Sequence, residues 1–516
     1  MELIRWFFKK VLFNRLAFIV AAMVLQFFVL ISVILKFNEY FTYFYGGNLL
    51  LSVLLVSRIA NNRSNPVYKI AWIVLIFILP IFGGLFYIFF GGNKLSRRMR
   101  GRMKFIEEKT KEILAPYSKQ LVLDEIAFRN QDAANQSRYI QNYSYYPPYK
   151  NTICEYLPTG EKKFKRLKEE LEKAEHYIFI EYFIIEEGIM WNSILDILAE
   201  KAKQGVDVRV IYDDVGCMLK LPYRYDKKLE KMGIQCCVFN PLIPILYPRL
   251  NNRDHRKIAV IDGHTGFTGG INLADEYINE VEKFGHWKDT AIMLKGEAVN
   301  NLTVMFLTMW DFIRGINEDY SQFKKNSPLE AQSGGSGYVQ PFADNPLDDE
   351  PVGETVYLNL INKAKRYIYI TTPYLIIDNK MATALKSAAK AGVDVRIITP
   401  YIPDKWYVHA VTRSYYKILI ESGVKIYEYL PGFIHSKTIV VDDEYGVVGT
   451  INVDYRSLFL HFECGVWLYG SSSILDMKED FLDTLNVSKQ ITPEDLQNIK
   501  FYEKWMSSVL RILAPL

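Results

Sequence analysis

Three apolar runs open the chain, and a different rhythm follows them. Leu16–Leu35 is twenty residues without a charge, interrupted only by Gln26 and Ser32. That length matches the hydrocarbon core of a bilayer. Tyr40–Ser57 is also uncharged and contains Gly46, Gly47 and Asn48, and Ile70–Phe90 is a third run holding Pro80, Gly83 and Gly84. No small-residue cleavage site follows the first run, which argues against a removed leader. The pattern predicts a membrane segment over residues 1–104 built from two or three apolar helices, on a multi-pass protein of the cell membrane.

The basic residues constrain its topology. Arg5, Lys9, Lys10 and Arg15 precede the first run, Arg58, Arg63 and Lys69 separate the last two, and Lys94–Lys104 follows with six. The positive-inside rule assigns every cluster to the cytoplasm, yet three full spans would put the last one outside. A spanning hairpin followed by an Ile70–Phe90 run that breaks near Pro80 and re-enters satisfies all three. The part of the chain after residue 104 is then expected in the cytoplasm.

From about residue 105 helical and strand-like segments alternate, the pattern of an α/β domain with a largely parallel sheet. The pattern also repeats. Tyr177–Glu181 (YIFIE) returns as Tyr367–Thr371 (YIYIT), and Gly205–Arg209 (GVDVR) returns unchanged as Gly392–Arg396. Residues 105–150 read as a connecting segment, 151–325 and 337–486 as two tandem domains, and 487–516 as an amphipathic tail. Asn326–Gly337 is Ser-, Gly- and Pro-rich and reads as a linker. The apolar spacing of Phe501–Leu516 fits either an interfacial helix or one docked on the core. The five tyrosines of Tyr139–Tyr149 suit a surface loop or the head-group level of a bilayer.

The most informative repeat is chemical. His255, Lys257, Asp262, Gly269 and Asn272 match His435, Lys437, Asp442, Gly449 and Asn452, at offsets of 2, 7, 14 and 17 from each His. A His and a Lys two apart at one end of a strand share a face, and an imidazole beside an ammonium suits an anionic reaction centre. Asp262 and Asp442 complete the motif and are grouped with the catalytic set, although their odd separation from the Lys favours a turn-stabilising role. Aligning the next strand pairs Asp289 with Glu463, each able to accept a proton from one His nitrogen and fix its tautomer. Asn272 and Asn452, beside Gly-rich turns, offer donors to phosphate oxygens.

Composition adds limits. The net charge is +4, too small to indicate nucleic acid, and Gly 30 with Pro 20 in 516 residues excludes a disordered or collagenous chain. The five cysteines, Cys154, Cys217, Cys236, Cys237 and Cys464, include no CxxC pair, so a disulfide or zinc framework is not expected. No P-loop or HExxH helix occurs, and neither metal nor cofactor is called for.

HRKIAVID and HSKTIVVD, each followed by GGxN or GTxN, resemble the HxKxxxxD motif of the phospholipase D superfamily. With the apolar N-terminus, NRDHRK (Asn252–Lys257), WKDT (Trp287–Thr290), TTPY (Thr371–Tyr374) and NVDYRS (Asn452–Ser457), the chain resembles the bacterial cardiolipin synthases. The resemblance implies two phospholipase D-like mixed-sheet domains in pseudo-twofold tandem, bringing both His-Lys pairs to one phosphodiester. It further implies a phosphohistidine intermediate, with His255 taken as the attacker on resemblance alone, and transfer between two phosphatidylglycerols to give cardiolipin and glycerol. Phosphatidylethanolamine is an alternative donor, and oligomerisation is open. Two other readings stand beside it: a membrane-bound phospholipase D or nuclease that uses water, and a silent lipid-binding scaffold.

Overall fold

The computed structural model describes residues 41–62, 65–79, 83–91, 97–242, 251–323, 335–348, 350–497 and 501–514, with isolated positions before residue 41. The Leu16–Leu35 run, Pro80 and most of the expected linker lie outside the described residues.

Two sheets carry the fold. The first is built from β1 (Thr152–Leu157), β2 (Tyr177–Tyr182), β3 (Asp207–Asp213), β4 (Gln235–Phe239), β5 (Lys257–Ile261), β6 (Thr265–Gly269) and β8 (Ala291–Gly296), in the order β1-β8-β6-β5-β2-β3-β4. The second uses β9 (Tyr338–Asp344), β10 (Tyr367–Thr371), β11 (Asp394–Pro400), β12 (Lys425–Tyr429), β14 (Thr438–Val441), β15 (Tyr445–Gly449), β16 (Glu463–Tyr469) and β17 (Ser488–Gln490). Its order, β17-β12-β11-β10-β14-β15-β16-β9, is the first sheet read backwards with one edge strand added. The duplication seen in the sequence is therefore one of topology.

Both sheets are mixed, which corrects the largely parallel sheet expected from helix–strand alternation. Within the two sheets, parallel pairing is confined to β2–β3–β4 and β10–β11–β12, where helices make the crossovers. The strands carrying the motifs return by short hairpins, β5–β6 and β14–β15, and short hairpins force antiparallel pairing. The repeated GVDVR places its Gly at φ 91° in one half and 95° in the other, closing the preceding helix, and its Arg on its own Asp at 2.7 Å in both.

The halves share one core. Phe179, Ile258, Val260 and Leu294 from the first sheet pack with Val440, Val448, Val466 and Leu468 from the second, around the helices Val299–Arg314 and Ser473–Asn486. Backbone also crosses between halves. β7 (His286–Lys288) pairs parallel with β13 (Gly432–Ile434), and in the counterpart contact the amide of His255 donates to the carbonyl of Phe462 at 2.9 Å.

Among the described residues no helix is long and apolar enough to cross a membrane. The described part of the expected membrane segment consists of α1 (Phe41–Ala60), α2 (Pro66–Ile78) and α3 (Gly83–Phe90). Thirteen residues give α2 about 20 Å, short of the roughly 30 Å of a hydrocarbon core. Ile59, Trp72 and Ile76 knit the three helices together, while Val53, Leu54, Phe77 and Ile78 remain exposed. This module is fixed to the second half: Asn65 caps α2 and donates to Asp378 at 3.0 Å, and Tyr68 stacks on Tyr455.

The C-terminal helix Phe501–Leu513 docks on the core, with Leu510 packed into it and Arg511 over the Tyr415 ring at 4.2 Å. Of the two readings of the tail, the docked one holds here, and β17 draws residues 488–490 into the second sheet.

Asp262 and Asp442 lie at the far ends of β5 and β14, away from the histidines. Each sits at positive φ, 50° and 55°, in a tight turn. Asp262 accepts from the amides of Glu175, His176 and Tyr177, each at 2.8 Å, and Asp442 does the same for Lys365, Arg366 and Tyr367. Their carboxylates are consumed in fixing the start of β2 and β10, which corrects their grouping with the catalytic residues. Asp442→Ala is expected to cost about 2–4 kcal/mol by stranding these amides, read as a lowered Tm, with turnover per folded molecule nearly kept. An unchanged Tm with abolished turnover would return Asp442 to the reaction centre.

Candidate active site

His255 and His435 stand just before the strands that begin at Lys257 and Thr438, both deeply buried. Each imidazole is held by the carboxylate of the other half. His255 Nδ1 lies 2.9 and 3.0 Å from the two oxygens of Glu463, and His435 Nδ1 lies 2.6 Å from Asp289 Oδ2. With Nδ1 donating to the carboxylate, Nε2 is left with its lone pair. The sequence nominated both acids as orienting groups; the exchange between halves is what the structure adds.

The lysines brace the same centre. Lys257 Nζ donates to the carbonyl of His255 at 2.5 Å, and Lys437 donates likewise to that of His435. Burial lowers both ammonium groups, Lys257 to about 8 and Lys437 to about 7, against the pull of Glu463 and Asp289. Burial also pushes His255 down to about 3, opposed by Glu463, and holds His435 well below its ordinary value, helped by Lys437 and Lys257. Burial alone thus favours the neutral rings, and an anionic phosphodiester between them favours the imidazolium that proton transfer needs. Glu463, despite burial, is held well below the usual carboxylate range by His255, whereas burial raises Asp289 to about 6. Lys437, Lys257 and His255 all favour the ionised form of Asp289 against its burial, so charges of both motif sets act on this one carboxylate.

The asparagines diverge. Asn272 is committed at both ends, accepting from the amide of Ile184 at 3.0 Å and donating to the Tyr277 hydroxyl at 2.6 Å, so its expected phosphate contact is replaced by a structural one. The side-chain oxygen of Asn452 is buried without a partner, and since that oxygen only accepts, the phosphate role kept as a proposal falls to its NH2 group.

Several groups escaped the sequence reading. Arg253 is locked on Asp213 at 2.8 Å, and Arg256 on Glu181 at 2.6 Å and Asp254 at 3.1 Å, all buried beside His255. The NRDHRK run contained that signal as alternating charges. Thr450 donates its hydroxyl to Glu463. His461, whose side chain is 12% exposed, has its Nδ1 3.8 Å from Glu463 and its ring 5.5 Å from that of His255. Ligand atoms of His255, His461 and Glu463 fall within 4.8 Å of one another, a spacing a metal ion could bridge. Two ammonium groups in the same cluster oppose a cation there and suit an anion instead.

The family model described as "Cardiolipin synthase, PLD-like domain" matches residues 167–310 and 357–485, and "Phospholipase D-nuclease N-terminal" matches 50–92. A cardiolipin synthase of Geobacillus kaustophilus is 38% identical over 473 residues, covering 90% of this chain and 91% of that protein. The chain belongs to the cardiolipin synthase family. An uncharacterised Streptococcus mutans protein is 44% identical across 89% of this chain and 99% of its own length. The crystal structure of a Haemophilus influenzae phosphatidylserine synthase superposes with a TM-score of 0.51 at 16% identity, over 73% of this chain and 99% of that one, showing a shared fold.

The carboxylates and lysines give two expectations. Glu463→Gln removes the charge that stabilises imidazolium on His255 and should lower kcat at least about a hundredfold; a loss under about threefold would make the contact incidental. A lysine is charged below its pKa, so kcat/KM should fall as pH rises through about 7 to 8, where Lys437 and then Lys257 discharge. A bound phosphate anion favours the ammonium and should shift the kcat limb upward. A kcat/KM flat to about pH 9 would contradict this.

Proposed function

We propose that this chain is a phosphatidyltransferase that exchanges the phosphatidyl group between two phosphatidylglycerols, giving cardiolipin and glycerol. The observation that carries the reading is the crossed pair of His–carboxylate couples within one cluster that also holds both ammonium groups. One Nε2 attacks phosphorus, and the P–O bond to glycerol breaks as the other imidazole, protonated, gives its proton to the leaving oxygen. In the second half-reaction a hydroxyl of the acceptor lipid returns its proton to that imidazole as its oxygen displaces the histidine nitrogen. The lysines and Asn452 hold the phosphate oxygens. One diester replaces another, so no external energy source is needed.

A membrane surface is the proposed location. The exposed Phe77 and Ile78 of α2 are joined by Leu219 and Tyr223, in the segment after β3, and by Tyr401, Trp406 and Tyr407, after β11. These two segments follow equivalent strands of the two halves, and exposed aromatic and aliphatic side chains there suit the interface of a bilayer.

Purified protein incubated with phosphatidylglycerol vesicles should form cardiolipin and glycerol in equal amounts, read by lipid mass analysis, and His435→Ala should abolish both. Phosphatidate without cardiolipin would establish water as the acceptor instead. Undiminished turnover by His435→Ala would remove the site from the reaction.

A further inference from the structure

Among the described residues Lys109, Lys163, Lys257, Lys288 and Lys437 are buried, and all but Lys163 donate to a carbonyl or a carboxylate. Lys163 is 2% exposed, and its Nζ has no hydrogen-bond partner. The ammonium lies over the Tyr182 ring, 4.8 Å from its centre. Lys163 sits on the buried face of the helix Gly160–Leu171 with Leu167 and Leu171, a position that apolar residues ordinarily fill. Counted back fourteen residues from Tyr177 and from Tyr367, the second half has Gly353 in its place. The helix is pinned to the segment that carries Asp289. Lys288 donates to the Pro158 carbonyl at 2.8 Å, and Asn279 donates both to Glu161 at 2.7 Å and to the Trp287 carbonyl at 3.1 Å. Asp289 is the charge that acts on Lys163.

The two carboxylates at the junction are unequally supported. Glu463, two residues after His461, takes the Thr450 hydroxyl. Asp289, two residues after Trp287, has Gly270 at the matching place, fifteen residues after His255 as Thr450 is after His435. A Cβ at Gly270 would lie 2.1 Å from Asp289 Oδ1, so no hydroxyl can be offered from there. We propose that Lys163 is a positioning residue for this couple: its ammonium keeps Asp289 a carboxylate, and the carboxylate keeps the proton of His435 on Nδ1. This rests on the phosphatidyl transfer proposed above. A protonated Asp289 would donate to Nδ1, move the ring proton to Nε2 and remove the lone pair that the reaction uses. The motif lysines also favour ionised Asp289, but they meet the phosphate, whose charge offsets theirs. The charge of Lys163 remains for Asp289. Burial lowers Lys163 to about 7, opposed by Asp289, so the ammonium is present on the acid side of neutrality, where Asp289, raised to about 6, would otherwise gain a proton.

The test is the pH profile of kcat/KM for the full-length protein in detergent–phosphatidylglycerol micelles, read as phosphatidylglycerol consumed. The groups that face this pair are Tyr182 at Lys163, and His435, Lys437, Lys257 and His255 at Asp289; the variants leave all of them in place. Lys163→Met, close in length and volume, removes the ammonium, and the acid limb should move up by about one unit. Activity then falls about tenfold below about pH 6 and less than about twofold above about pH 7.5. The Tm should stay the same or rise, because a buried charge without a hydrogen bond has been replaced by a thioether. Lys163→Gln, the second neutral variant, should shift the limb likewise. In Asp289→Asn, which has no carboxyl to titrate, adding Lys163→Met should bring no further loss on the acid side. A limb that does not move, a loss equal at every pH, or failure of both Lys163→Met and Lys163→Gln to fold would overturn the proposal. Wild-type protein that makes phosphatidate and no cardiolipin would end the transfer reading alone, since the limb is read on phosphatidylglycerol consumed.

Discussion

Everything at this centre depends on the exchange of carboxylates between the halves. His255 finds its partner on β16, and His435 finds its partner just after β7, so neither domain alone contains a working imidazole. A buried carboxylate stripped of its partner costs about 3–5 kcal/mol, and here two such partners are supplied across the junction. Sliding one half against the other would break both couples together, strand the lysines and open the shared core around Phe306 and Phe481. The register of the junction is therefore set by charge as much as by packing. Two backbone crossings, at Phe462 and at Lys288, hold the histidines within reach of the acids they borrow.

The first half carries additional bracing. Arg253 and Arg256 neutralise Asp213, Glu181 and Asp254 beneath His255, where the second half has Ser436 in the place of Arg256. Buried arginine is affordable only when its fork is met by carboxylates, and it is met twice here. The His255 loop is consequently the more rigidly charged of the two.

Much of this was readable from residue order. The paired motifs repeat at fixed offsets from each His, and the strand repeats and the two acids follow in the same order in each half, an order that survives without coordinates. Their exchange did not, because a sequence alignment matches Asp289 to Glu463 without saying which histidine each one meets. Helix–strand alternation suggested parallel sheets because hydrophobic period does not distinguish a crossover from a hairpin; only the turns at Asp262 and Asp442 held that information. Hydropathy and Pro80 led to the expectation that Ile70–Phe90 divides in two, and α2 ends at Ile78 while α3 begins at Gly83. His461 was invisible for a different reason. A search for duplication retains what the halves share, and at this position they differ.

That difference is what the chemistry requires. A symmetric pair of histidines can bind a diester in either direction, and a symmetric site would present both P–O bonds to attack with equal ease. Transfer needs a direction, since only the alcohol side exchanges while the phosphatidyl side is retained. The backbone repeat supplies two imidazole–carboxylate couples, and a single replaced ring, imidazole on one side and indole on the other, gives the two sides different hydrogen-bonding capacity.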